Sequence, residues 1–135
     1  MQVKNVMSSP AIMVDEKTSI KETIEIMEKE NVGFLPVTKN DHLIGVVTDR
    51  DILLRGKNYR SNSRISKVMT NDYLYTIQES ATLEDAAKIM SQYKVRRLVV
   101  VNSDYIKGVI TSKDLLKDET LIPYIKETYN YSYHW

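Results

Sequence analysis

The chain repeats itself, and nothing else in the sequence restricts its fold so strongly. Residues 18–54 laid on residues 81–117, an offset of 63, share 11 identities in 37 positions, among them Met27/Met90, Leu35/Leu98, Gly45/Gly108, Thr48/Thr111 and Asp51/Asp114. Upstream, Val3-Lys-Asn-Val-Met-Ser8 matches Ile65-Ser-Lys-Val-Met-Thr70 at an offset of 62, so one residue is inserted in the second copy between Met69 and Leu83. A half of about 60 residues buries too little surface to fold well alone, so the two copies are expected to pack as one unit. Packing of duplicated halves leaves paired clefts where they meet, and ligand pockets favour such places.

Within each copy the pattern predicts strand, helix, strand, strand, helix. Ser19-Ile-Lys-Glu22 and Thr82-Leu-Glu-Asp85 are capping boxes at equivalent positions. Behind them Ile20, Ile24 and Met27, then Leu83, Ala86, Ala87 and Met90, recur at helical spacing. Met27 and Met90 are expected in the core. Phe34–Val37 with Leu43–Val47, and Leu98–Val101 with Ile106–Ile110, are apolar runs split by Lys39-Asn-Asp41 and Asn102-Ser-Asp104, which predicts two hairpins. Short helices are expected over Asp49–Arg55, with Gly56 as its stop, and over Ser112–Lys117. The expected division is residues 1–56 as repeat 1, 57–64 as a basic linker, 65–117 as repeat 2 and 118–135 as an aromatic-rich tail. The fold class is α/β, as two pseudo-symmetric βαββα repeats.

The turn from last strand to last helix is where a ligand finds polar groups. Gly45-Val-Val-Thr48-Asp-Arg-Asp51 and Gly108-Val-Ile-Thr111-Ser-Lys-Asp114 each place Thr as N-cap with Asp three residues on. Those residues serve equally as plain caps or as a phosphate and ribose site. The amides and helix dipole at such a turn attract phosphate, and an Asp one turn in accepts from ribose hydroxyls.

Two ordered sets of an x-x-V-M-[S/T] lead, an amphipathic helix, a hairpin and a G-h-h-T-x-x-D end resemble the cystathionine-β-synthase (CBS) domain. In tandem they resemble a CBS pair, or Bateman module, over residues 1–117. The resemblance implies βαββα units with their sheets packed face to face. It also implies binding of an adenosine-containing ligand (AMP, ADP, ATP or S-adenosylmethionine) in the clefts between copies, with Thr48 and Thr111 toward phosphate and Asp51 and Asp114 toward ribose. Val95-Arg-Arg-Leu-Val-Val100 resembles the family segment whose basic residues contact phosphate, whereas the first copy reads Val32-Gly-Phe-Leu-Pro-Val37. Arg96 and Arg97 are therefore the expected phosphate ligands, able to hold oxygens bidentately, unless they are a solvated surface pair. One stronger and one weaker or vacant site are expected. Ile12-Met13-Val14 and Tyr75-Thr76-Ile77 occupy the family's adenine-side position, with plain strand core as the alternative. A homodimer is expected by the same resemblance.

Composition removes whole classes of chemistry. Cysteine is absent, which excludes disulfides, thiol catalysis and thiolate metal sites and fits a reducing cytoplasm. His42 and His134 stand alone, no nucleophile–base constellation is present, and neither catalysis nor a metal or cofactor is expected. No apolar run approaches the roughly 18–20 residues of a membrane span, and MQVKNVMSSP has no signal-peptide core. A formal charge of +1 gives no global basic field. Locally, Arg55, Lys57, Arg60, Arg64 and Lys67 run without an acid among them, either a solvated linker or a nucleic-acid contact. The tail holds Leu121, Ile125 and Tyr129 at helical spacing, four of nine tyrosines and the single Trp135, and reads as a contact surface or a fold-back onto its own module. The expected function is a non-catalytic regulatory module that binds an adenine nucleotide and acts on a separate, unidentified protein. The alternatives are a nucleic-acid-binding protein and a ligand-independent assembly module.

Overall fold

The computed structural model describes residues 1–130 of the chain. Two compact units form, one from residues 12–74 and one from residues 1–11 together with the chain from Tyr75 onward.

The 12–74 unit holds a three-stranded sheet in the order β1 (Val14–Asp15), β2 (Phe34–Lys39), β3 (His42–Thr48), with β1 parallel and β3 antiparallel to β2. Helix α1 (Ile20–Glu30) starts where the capping pattern places it: the Ser19 hydroxyl accepts from the Glu22 amide at 3.0 Å. The return bond of a full box, from the Ser19 amide to the Glu22 carboxylate, is not made; the next two amides, of Ile20 and Lys21, donate to the Ser63 and Ser61 carbonyls, both at 2.9 Å. Asn31, with φ 53°, ends the helix in the left-handed region that asparagine tolerates. Helix α2 (Asp49–Arg55) follows β3. Gly56 does sit at its C-cap, but with right-handed φ −62°, so the chain tightens into a 3₁₀ turn over Gly56–Asn58 instead of stopping. Apolar side chains at the predicted spacing make the core: Val14, Ile20, Met27, Leu35, Val37 and Val47, closed by Ile65 and Val68.

The second unit repeats this plan with β4 (Thr76–Gln78), α3 (Leu83–Tyr93), β5 (Arg97–Asn102) and β6 (Tyr105–Thr111), in sheet order β4-β5-β6. Here the capping box is complete: Thr82 Oγ1 accepts from Asp85 N and Asp85 Oδ2 from Thr82 N, each at 3.1 Å. Met90 is fully buried, and Met27 nearly so, as core residues. After β6 the expected helix over Ser112–Lys117 is only a 3₁₀ turn over Asp114–Lys117. The tail then folds back: α4 (Ile122–Asn130) packs on α3, burying Leu121 and Ile125, and the Ser91 hydroxyl donates to Glu127 Oε2 at 3.0 Å. Ala86 and Ala87 of α3 are buried as well. Residues 131–135, with Tyr131, Tyr133, His134 and Trp135, lie outside the described residues, as does the side chain of Tyr129.

The leads are exchanged. Val3–Ser8 belongs by sequence to the first copy, yet it packs with the second: Val3 N–H donates to Ala81 at 2.8 Å, and Ser8 pairs with Val109. Ile65–Thr70 packs in the same way on the first copy, with Thr70 paired to Val46. This explains the glycine of each G-h-h-T run. A Cβ on Gly45 would lie 2.7 Å from Met69 Sδ, and one on Gly108 would lie 2.9 Å from Met7 Sδ and collide with the Ser8 carbonyl. Both glycines admit a lead.

The first hairpin turns on Asn40 and Asp41, both at positive φ (51° and 65°). A two-residue hairpin turn of that kind prefers Asn-Gly. Asp41→Gly is expected to stabilise the protein by about 1 kcal/mol, seen as a Tm raised by a few degrees in a thermal melt.

Candidate functional site

The two strand-to-helix turns are equivalent in backbone and unlike in what their side chains leave available. In the first, Thr48 caps α2 with a full box: Asp51 N–H donates to Thr48 Oγ1 at 3.1 Å and Thr48 N–H to Asp51 Oδ2 at 3.0 Å. The Thr70 hydroxyl, brought by the exchanged lead, donates to Asp51 Oδ1 and Oδ2 at 3.2 and 3.3 Å. Arg55 approaches Oδ1 at 4.0 Å while donating to the Met69 and Val68 carbonyls. Both carboxylate oxygens of Asp51 are thus engaged inside the unit, and the side chain is 13% exposed.

In the second turn Thr111 does not act as the expected N-cap. Its hydroxyl donates to Asp114 Oδ2 at 3.2 Å, alongside its amide at 2.8 Å, and no cap bond from the Asp114 amide to that hydroxyl is formed. That reversal accompanies the 3₁₀ turn: without the cap bond, the Leu115 amide closes onto Ser112 O at 3.2 Å. Asp114 Oδ1 accepts no hydrogen bond among the described residues. Ser8, which stands where Thr70 does in the other unit, is exposed and makes no side-chain bond to Asp114.

Cations and acids are distributed just as unevenly. Arg97 opens β5 directly opposite Thr111, and the Arg96 carbonyl accepts from the Ser112 amide at 2.8 Å, so both arginines flank the second turn. Their counterparts are Gly33, whose carbonyl accepts from Asp49 N at 3.0 Å, and the buried Phe34, opposite Thr48. A Cβ on Gly33 would lie 2.7 Å from Asp49 Oδ2, so a carboxylate fills the space beside the first turn where Ser112 stands in the second. Each turn keeps one further base, Arg50 or Lys113. Among the described residues the second turn is thus flanked by two guanidinium groups and has no acid in place of Asp49.

The adenine-side candidates divide between the units. Ile12 packs on the core of the 12–74 unit, while Met13 is 40% exposed. Thr76 pairs with Val99, and Tyr75 accepts from the Val99 amide at 3.1 Å. The Tyr75 ring lies 5.1 Å from that of Tyr93, tilted by 35°. By strand register, Tyr75, Arg97 and Thr111 share one end of the β4-β5-β6 sheet. Among the described residues no three His, Asp or Glu side chains are grouped to hold a metal ion, and no helix is long and apolar enough to cross a membrane.

The CBS domain family model matches residues 3–57 and again 65–119. The chain is 33% identical over 115 residues to the CBS domain-containing protein YhcV of Bacillus subtilis, covering 84% of this chain and 81% of that one. The solved CBS domain pair of protein MJ0100, in complex with 5′-methylthioadenosine and S-adenosyl-L-methionine, superposes with TM-score 0.75 at 28% identity, over 87% of this chain and 94% of that one. The structure of CBSX2 in complex with AMP superposes with TM-score 0.72 at 28% identity, over 90% and 98%. The chain belongs to the CBS domain family, as a pair of CBS domains with the α/β architecture of such pairs.

Proposed function

We propose that this CBS pair is a non-catalytic regulatory module that binds an adenine nucleotide at the turn of its second repeat and transmits occupancy to a partner protein. The observation that carries the reading is the contrast at the two aspartates. Both Asp51 oxygens are engaged by Thr48, Thr70 and the nearby Arg55, whereas Asp114 Oδ1 accepts no hydrogen bond among the described residues, beside Thr111. In this reading Arg97 and Arg96 hold phosphate, Thr111 contributes a hydroxyl, and Asp114 Oδ1 accepts from ribose. Tyr75 and Thr76, at the same end of the sheet, lie toward the base. Thr48, Asp51, Ile12 and Met13 form the weaker counterpart. The bound ligands of MJ0100 and CBSX2 support the adenine-containing class.

Binding to the native state alone is sufficient for signalling. Ligand at 100 times its Kd stabilises the bound form by about 2.7 kcal/mol, enough to bias a homodimer or a hinge. Thermal shift against AMP, ADP, ATP and S-adenosylmethionine tests the reading. A rise in Tm with at least one of the four, reduced in Arg97→Gln, is expected. No shift across the panel, or a shift untouched by Arg97→Gln, contradicts it. Sedimentation with and without that ligand reads out the expected dimer.

A further inference from the structure

The segment that caps α1 carries more charge than its structural task needs. Ser61 and Ser63 supply carbonyls to the α1 amides, Ile65 N–H donates to Thr18 O at 2.7 Å, Ser66 N–H to Glu16 O at 3.3 Å, and Arg64 bridges Ser19. It is therefore a fixed strap, not a loose linker. In the other unit the chain start does the same work. Met1 O accepts from Leu83 N at 3.2 Å, Val3 N–H donates to Ala81 O, Lys4 N–H to Glu79 O, and Gln2 bridges Thr82.

The two straps match in backbone and differ in charge. Gln2 stands where Arg64 does, Asn5 where Lys67 does, Ser80 where Lys17 does, and Glu84 where Lys21 does. At these four positions neutral or acidic residues suffice for the fold, while Lys4 stands where Ser66 does. Around the 12–74 strap, Lys17, Lys21, Lys57, Arg60, Arg64 and Lys67 are all exposed, and none makes an ion pair among the described residues. Of the acids at this end, Glu16 is held by Lys39 at 3.9 Å, while Asp15, which accepts from the Lys17 amide at 2.9 Å, and Glu22 at the start of α1 keep their charge against six cations. Uncompensated cations gathered by backbone geometry, and dispensable to it, mark a surface for a polyanion.

We propose that this strap binds the phosphodiester backbone of a single-stranded nucleic acid. A single strand is favoured over a duplex because, Lys21 in the first turn of α1 apart, the cations sit on short 3₁₀ turns and irregular backbone that offer no recognition helix to a groove. Tyr59 in the same strap, 45% exposed, offers a ring on which a base stacks.

Fluorescence anisotropy with labelled 12-nucleotide U and T oligonucleotides tests this, with vesicles containing 30% phosphatidylserine as the competing polyanion. Four phosphate contacts on a single strand predict affinity falling about 50-fold between 50 and 200 mM salt. The variant Lys17→Ser/Lys21→Glu/Arg64→Gln/Lys67→Asn transplants the other strap's residues, so its fold is expected to survive. Its affinity at 50 mM salt should drop at least tenfold and its salt dependence to under fivefold. Should that variant unfold, Arg64→Gln alone is expected to lower affinity severalfold and to reduce the salt dependence. No oligonucleotide binding at 50 mM salt, unchanged binding by the folded variants, or binding to vesicles without binding to oligonucleotides overturns the proposal. The nucleotide response at Asp114 belongs to the other unit and is expected to be unchanged in all these variants, so the two readings fail separately.

Discussion

Deleting residues 1–8 is expected to unfold the unit built from the second repeat and to leave the first repeat's hairpin intact. The reason is the exchanged lead. Val3 is fully buried and Val6 nearly so, and both lie in the unit with Leu83, Met90, Leu98 and Ile110. Losing two buried valines costs roughly 3–6 kcal/mol, a large share of the 5–15 kcal/mol by which domains are stable. The deletion also strips the Met1 carbonyl from the start of α3 and leaves the Val109 amide without Ser8 O. Hydrogen exchange gives the readout: amides of Leu83–Met90 and Leu98–Ile110 lose protection, while Leu35–Val47 keeps it. Protection lost mainly over Leu35–Val47 would show that the lead serves its own copy. Gly108→Ala is a milder form of the same test, costing about 1–3 kcal/mol by forcing the lead outward.

Asp51→Ala and Asp114→Ala are expected to have opposite effects despite their matched positions. Asp51 accepts from Thr48 N and Thr70 Oγ1 and faces Arg55, so its loss leaves those donors unsatisfied and destabilises the 12–74 unit by about 1–3 kcal/mol. Nucleotide affinity should be nearly unchanged. Asp114 bonds only within its own turn, so its removal costs less stability but takes away the acceptor proposed for ribose. A charged hydrogen bond of about 1.5–3 kcal/mol corresponds to roughly 10- to 150-fold in affinity. Calorimetric titration on the two variants, with a melt on each, separates the effects. Equal affinity losses for both would mean that the two turns bind alike.

Much of this was legible in the sequence because the duplication puts every local signal on the page twice. Capping residues placed α1 and α3, and alternating apolar runs between turn residues placed both hairpins. The rest depends on contacts far apart along the chain. No local pattern shows that Ile65–Thr70 closes the first copy, or that the Thr70 hydroxyl reaches Asp51. The pairing of Arg97 with Thr111 was hidden by one residue. Counting back from Asn102 opposite Tyr105 sets Arg97 against Ile110, and the irregularity between Val100 and Val101 moves it to Thr111. The second Thr-x-x-Asp read as a capping box like the first. Only hydrogen-bond direction distinguishes a threonine hydroxyl that accepts from an amide from one that donates to a carboxylate. The basic segment was visible, but its fixed backbone was not, because the carbonyls that hold it carry no side-chain signal.

In the proposed function the second turn, and not the first, receives the nucleotide. Amide chemical-shift mapping during titration with AMP tests it most directly. Perturbations are expected to concentrate on Arg96–Leu98 and Thr111–Asp114, with Thr48–Asp51 nearly still. Perturbations centred on Thr48–Asp51 while Thr111–Asp114 stays silent would contradict it.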